Sequence, residues 1–357
     1  VRLDSIFKNL IEFLKSSYLI IKLLFFWVLI TGDPLYAQPI GWSDVFHLVS
    51  SVEISPPKEN LIIPIFGEAL SDSVLIISDP IFTRVAAAFQ SNTGEYLHLI
   101  GANGMGPGEY GRPIDIASNS QHIYILDPVQ NLIHIYDRNG IFEHAIKLRS
   151  YPARKISVSG SGEISVLYIG GGGAEVSILS PEGKKIQQLS LDKSKQAIFS
   201  SFVSGGGIYN ISESAIYVAL PYPDVIFRIQ NGSIEKYPLR IPDFIKLNTD
   251  RVDYNQLLNT ERYKYSTINN IFSFESGYAI IEYQDNKTEK SLKYAIYDLI
   301  HRKFFKLQSP GEQYGQILAI GDSSVYITYS KDNSLNNFTR FIIKKFQYVG
   351  IDRVISQ

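Results

Sequence analysis

A ring of six four-stranded antiparallel blades, an all-β six-bladed β-propeller, is the fold this sequence predicts, and two observations carry the prediction. First, VLIISDPIFTRVAAAFQSNTGEYL (74–97) and IYILDPVQNLIHIYDRNGIF (123–142) repeat one pattern. Each has a β-branched run, an Asp-Pro break (Asp79-Pro80, Asp127-Pro128), a second alternating run, a turn ending in Gly94 or Gly140, and an aromatic restart. A unit of this length cannot bury both its faces alone and must stack on copies of itself. Second, turn glycines recur at 94, 140, 183 and 232, at intervals of 46, 43 and 49 residues. That is the period of a four-stranded blade, roughly 40 to 50 residues.

Taken in chain order, the first element is an export signal. Arg2, Lys8, Lys15 and Lys22 precede the apolar run Leu23–Ile30, and the small residue Ala37 follows. Basic region, short apolar region and small residue is the order of a secretory signal peptide. Residues 1–37 are read so, with an uncleaved anchor helix as the alternative; the apolar run is shorter than the ~20 residues that usually span a bilayer. Residues 38–357 hold no Gly/Ser-rich or Pro-rich linker and are read as one propeller. The strand-like segment His47–Ile54 lies before the first copy and is expected to complete the last blade from outside, tying the ring shut.

Copies one and two start at Val74 and Ile123. Copy three pairs 164–168 with 176–179 and turns at Ser180–Gly183; copy four pairs 216–220 with 225–229 and turns at Asn231-Gly232. Residues 278–283 with 293–298 make a fifth copy, and 325–329 with 338–343 a sixth. The stretches Gly106–Ile114 and Ser309–Ile317 share Pro-Gly-Glu, Tyr-Gly and Ile in one order, marking a recurring entry into a blade.

The letters of 100–148 resemble those of NHL-type repeats. Ile100-Gly101, Gly104–Glu109, Pro113, Ile123–Asp127, Asn131, Ile133, Ile135–Asp137 and Gly140–Phe142 carry the likeness, which is close only over Val74–Leu148. The chain is thereby similar to exported bacterial six-bladed propellers. The resemblance implies a periplasmic, cell-surface or secreted protein; such propellers include binding modules and a few hydrolases and lyases, so fold alone does not give function.

Composition narrows the function classes. The chain has 23 Tyr, 20 Phe and a net charge of −1, which suits a β-rich globular protein and excludes the basic excess of a nucleic-acid binder. The pairs Lys184-Lys185 and Lys344-Lys345 are expected on solvated outer faces. No cysteine is present, which removes disulfides, thiolate metal sites and a catalytic thiol.

Strand order then sorts the loops. The loops joining second to third strands, and the connections between blades, emerge on one face, which bears the long irregular loops here. The longest, Ile241–Asn269, departs from the repeat; Asn248 or Thr249 is positioned to cap a helix within it. Aromatic and arginine side chains anchor interfaces, so Tyr168, Tyr222, Asp224, Tyr254, Arg262, Tyr263 and Tyr265 are the expected binding residues for a protein, peptide or glycan. The membrane is expected as a partner only through an uncleaved N-terminal segment.

Signals for chemistry are sparse. Gly104–Gly108 looks like part of a phosphate cradle, but Pro107 and Pro113 forbid the helix that would complete it. None of the six histidines shows i, i+4 pairing, and on the expected innermost strands only Asp115 and Asn210 suit a metal. Asp79, Asp127 and Asp137 sit where carboxylates cap turns. No cofactor, metal or catalytic residue is therefore assigned; a recognition module is the first reading, and a metal-dependent hydrolase or lyase with an axial site the alternative.

Overall fold

The structure is a computed structural model. It describes residues 39–54, 64–212, 215–242, 244–252, 255, 257, 264–274, 277–285, 292–308, 315–321, 323–333 and 338–351. The expected signal segment lies outside these residues. Among them no helix is long and apolar enough to cross a membrane.

Among the described residues, six antiparallel sheets of four strands and one short parallel pair, Ala102–Asn103 with Glu109–Tyr110, make up the unit from Pro39 to Gln357. From inside outward, blade I comprises Phe66–Ser71, Val74–Asp79, Val85–Gln90 and Tyr96–Ile100. Blade II comprises Asp115–Ser118, His122–Asp127, Leu132–Asp137 and Phe142–Lys147. Blades III, IV and V begin with the innermost strands Ala153–Val158, Gly207–Ser212 and Thr267–Phe274. Blade VI runs Gln316–Ile320, Ser324–Asn333 and Phe338–Tyr348, and its outer strand is Phe46–Glu53 from the other end of the sequence. The expected closure is thus observed, with Val52 opposite Ile343. Innermost strands of neighbouring blades touch all the way round, VI to I included.

The core is built between blades. Six apolar clusters lie one at each blade interface; Ile76, Ile100, Ile116, Ile123 and Ile125 belong to the I–II interface, and Leu75, Ile77, Leu318 and Tyr326 to the VI–I interface. Second strands therefore bury alternate side chains in two different cores. This explains why VLII and IYIL are continuous apolar runs and not alternating ones.

The repeated signals have local causes. Asp79 and Asp127 occupy the same blade position; Asp79 Oδ1 accepts from the N–H groups of Ile81 (3.0 Å) and Phe82 (2.9 Å), and Asp127 Oδ1 from Val129 N–H (2.9 Å). Asp137 caps its turn through Asn139 and Ile141 N–H. Gly94, Gly140, Gly183 and Gly232 all take φ between 73° and 82°, the left-handed region open to glycine.

Two expectations change. Helix also occurs at Trp42–Val45 and at Lys195–Phe199, where Ser194 Oγ caps the first turn by accepting from Ala197 N–H (3.2 Å). Lys345 is buried in the third strand of blade VI, because its Nζ reaches across the interface to donate to Asp72 O of blade I (2.9 Å), a turn carbonyl that also accepts from Ser91 Oγ and Tyr326 Oη. Lys184 and Lys185 are exposed as expected.

Candidate functional site

The innermost strands converge on the axis, so their polar side chains meet there although they are distant in sequence. Glu68 of blade I, Asp115 of blade II, Lys155 and Ser157 of blade III, Asn210 of blade IV, Asn270 of blade V and Gln316 of blade VI line an axial channel of about 110 Å³. Toward the loop-rich face this opens into a funnel of about 860 Å³, within the size range of ligand sites.

Bulges shape the funnel wall. Register shifts between Ala153 and Lys155, and between Ile268 and Asn270, break the usual alternation of side chains. Successive residues, Arg154 with Lys155 and Asn269 with Asn270, consequently all line it. Arg112, Phe202, Ile81 and Pro80 come from loops of the same face.

The base of the site is an interlocked polar group. Lys155 Nζ lies 3.2 Å from Asp115 Oδ1 and 4.5 Å from the centre of the Phe66 ring. Asp115 Oδ2 accepts from Ile156 N–H at 2.7 Å. Glu68 Oε1 accepts from Ser118 Oγ at 2.9 Å, and Glu282 Oε2, 1% exposed, accepts from Ile317 N–H at 2.8 Å. Burial pushes the Glu282 carboxyl up to about 8, against the pull of the Ile317 N–H and the Lys155 charge. Glu68 is likewise raised to about 8 by burial, with the Asp115 charge adding to it and Ser118 opposing. Burial also raises Asp115, despite Lys155. These directions follow from the cost of charge in a poorly solvated interior.

The arginines above this base are differently placed. Arg112 is exposed, with neither a hydrogen bond nor an ion pair to any described residue. Arg154 is half-buried; its Nη2 donates to Ser201 O, while its buried Nε has no partner among the described residues. Burial, then the neighbouring Arg112 charge, lowers the Arg154 pKa.

The residues expected from sequence are distributed otherwise. Tyr168 is buried, with the Arg149 guanidinium 4.0 Å from its ring centre and Tyr151 beside it. Tyr222 is buried in a cluster with Phe199, Leu247, Val252 and Leu257, against which Tyr265 packs half-buried. Asp224 Oδ2 pairs with Lys246 Nζ at 3.0 Å. The long connection is thus anchored to blade IV and to the Lys195–Phe199 helix through its described residues. Tyr254, Arg262 and Tyr263 lie outside the described residues.

Of the two candidate metal ligands, Asp115 lines the axis but is engaged by Lys155, and Asn210 donates its backbone N–H to Ser157 Oγ (3.0 Å). Among the described residues no three His, Asp or Glu side chains converge to hold a metal ion. The glycine-rich Gly104–Gly108 turn already holds an anion of its own, Glu109 Oε2, which accepts from Met105 and Gly106 N–H (3.0 and 2.8 Å). Sequence reading missed Glu68, Arg112, Arg154, Lys155 and Glu282. The available signal was a charge set inside an otherwise apolar strand, as in Ile281-Glu282-Tyr283 and Arg154-Lys155-Ile156.

Comparison with known proteins agrees with this architecture. A family model described as 6-bladed beta-propeller (DUF5128) matches residues 36–317, and the chain belongs to that family. A solved structure described as a candidate exported protein of Bacteroides fragilis is 14% identical, with a TM-score of 0.62, covering 88% of this chain and 98% of that one. A member of the duf4221 family from Bacteroides vulgatus is 13% identical (TM-score 0.56; 86% and 99% covered). Virginiamycin B lyase from Staphylococcus aureus is 13% identical (TM-score 0.50; 85% and 100% covered). At these identities the likeness is one of fold. No curated protein matches the sequence.

Proposed function

We propose that this member of the 6-bladed beta-propeller family is a recognition module that works outside the cytoplasm and binds its ligand in the funnel of the loop-rich face. The observation that carries the reading is the funnel itself: about 860 Å³, walled by several blades and floored by the Lys155–Asp115 ion pair and by Glu282, which accepts from the Ile317 N–H. At that base Lys155 and Asp115 pair with each other, while burial keeps the Glu68 and Glu282 carboxyls protonated up to about pH 8. Export is supported by the basic-then-apolar N-terminus and by the neighbour described as exported. Tyr254, Arg262 and Tyr263 stay in the proposal as binding residues on their chemistry alone; Tyr168, Tyr222, Asp224 and Tyr265 serve it as buried or paired supports.

The test is to fill the funnel. Ser204 is exposed on its wall, and Ser204→Trp should abolish binding of whatever probes the intact protein selects from peptide and glycan arrays, at unchanged melting temperature. Selected probes that bind the filled variant equally well would refute the reading.

A further inference from the structure

We infer that the funnel takes a peptide end carrying a free carboxylate, held by Arg112 and Arg154. The inference rests on the recognition reading and adds the ligand's chemistry to it. Three observations support it. The two guanidiniums come from adjacent blades and line one cavity. Among the described residues no carboxylate pairs with either, and the Arg154 Nε is buried without a partner. The remaining cation of the wall, Lys155, is already committed to Asp115 and to the Phe66 ring.

Two like charges side by side in a partly dry wall repel each other, and an anion between them relieves that repulsion. Guanidinium forks match a carboxylate through paired N–H donors, shorter and about twice as strong as neutral hydrogen bonds. The rest of the lining decides which carboxylate. Pro80, Ile81, Ile114, Phe202, Val203 and Leu292 make most of the wall apolar. Such a wall suits apolar side chains next to the carboxylate. Capture of a C-terminal carboxylate is a recurrent mode of peptide recognition.

The experiment titrates the intact protein with N-acetyl-Ala-Leu-Phe as the free acid and as its C-terminal amide, read by calorimetry and by protein NMR shifts. The acid should bind, with the amide at least ~10-fold weaker, since losing a charge-assisted contact at the centre of a site costs this much or more. Arg112→Gln and Arg154→Gln should each weaken the acid ~10-fold and leave the amide unchanged; Arg112 is exposed, so its variant tests the idea without endangering the fold. If acid and amide bind equally, and Ser204→Trp removes both, the recognition reading stands and the carboxylate inference falls. A heparin-derived sulfated disaccharide that binds while the acid is silent would also overturn it, replacing the peptide with a sulfated glycan. Binding of no probe at millimolar concentration overturns it as well.

Discussion

Replacing Gly94 by alanine should damage the closure of the ring, while the same change at Gly232 should cost only backbone strain. Both glycines occupy the same turn of their blades, with φ of 73° and 77°, and an alanine held there costs ~1–2 kcal/mol. Their surroundings differ. A Cβ at Gly94 would lie 2.1 Å from the backbone carbonyl oxygen of Glu53, in the strand that closes blade VI from outside. A Cβ at Gly232 would meet only the amide end of the Gln187 side chain, at 2.8 Å, which can swing away. Forcing a methyl into a filled backbone site adds ~1–3 kcal/mol, so Gly94→Ala should lose about 2–5 kcal/mol in all and Gly232→Ala about 1–2. Urea unfolding followed by tyrosine fluorescence gives both values from the midpoints at matched slope. Equal losses at the two glycines would show that packing of the turn against the neighbouring blade carries no energy, and the reasoning would fail.

Further expectations concern buried carboxylates. The folded protein keeps Glu282 protonated up to about pH 8, whereas the unfolded chain releases that proton near the ordinary carboxylate value. Its contribution to stability is therefore complete below pH ~4.5 and is lost as pH rises toward ~8, by up to about 1.4 kcal/mol per pH unit. Glu282→Gln should flatten this decline and gain on the wild type at pH 8; parallel stability curves between pH 5 and 8 would contradict it. Burial works to raise the Asp127 carboxyl, but the His134 ring, its Nε2 3.8 Å from Oδ2, and the N–H groups of Gly111 and Val129 win and hold it below the usual range. Asp127→Ala, which removes the 2.7 Å bond from Gly111 N–H and the 2.9 Å bond from Val129 N–H, should cost about 1–3 kcal/mol. A melting temperature unchanged by that substitution would count against the capping role.

Blade number, the closing role of the His47–Ile54 segment, the turn glycines and the capping aspartates were legible in the sequence because each depends on local relations. A carboxylate capping its own turn reaches residues two to four positions away, and a glycine at positive φ is a property of one backbone position. Repetition then multiplies these signals until the architecture follows from stacking alone. The candidate site obeys no such rule. Arg112 and Arg154, or Lys155 and Glu282, are brought together only because innermost strands of different blades converge on one axis. Bulges whose positions no residue pattern announces then turn adjacent side chains to one side. Tyr222 illustrates the converse: its residue type suggested a recognition surface, and tertiary packing under the long connection buried it. Periodicity in the chain encodes which surfaces must stack; which side chains remain to face the axis is settled only when the ring closes.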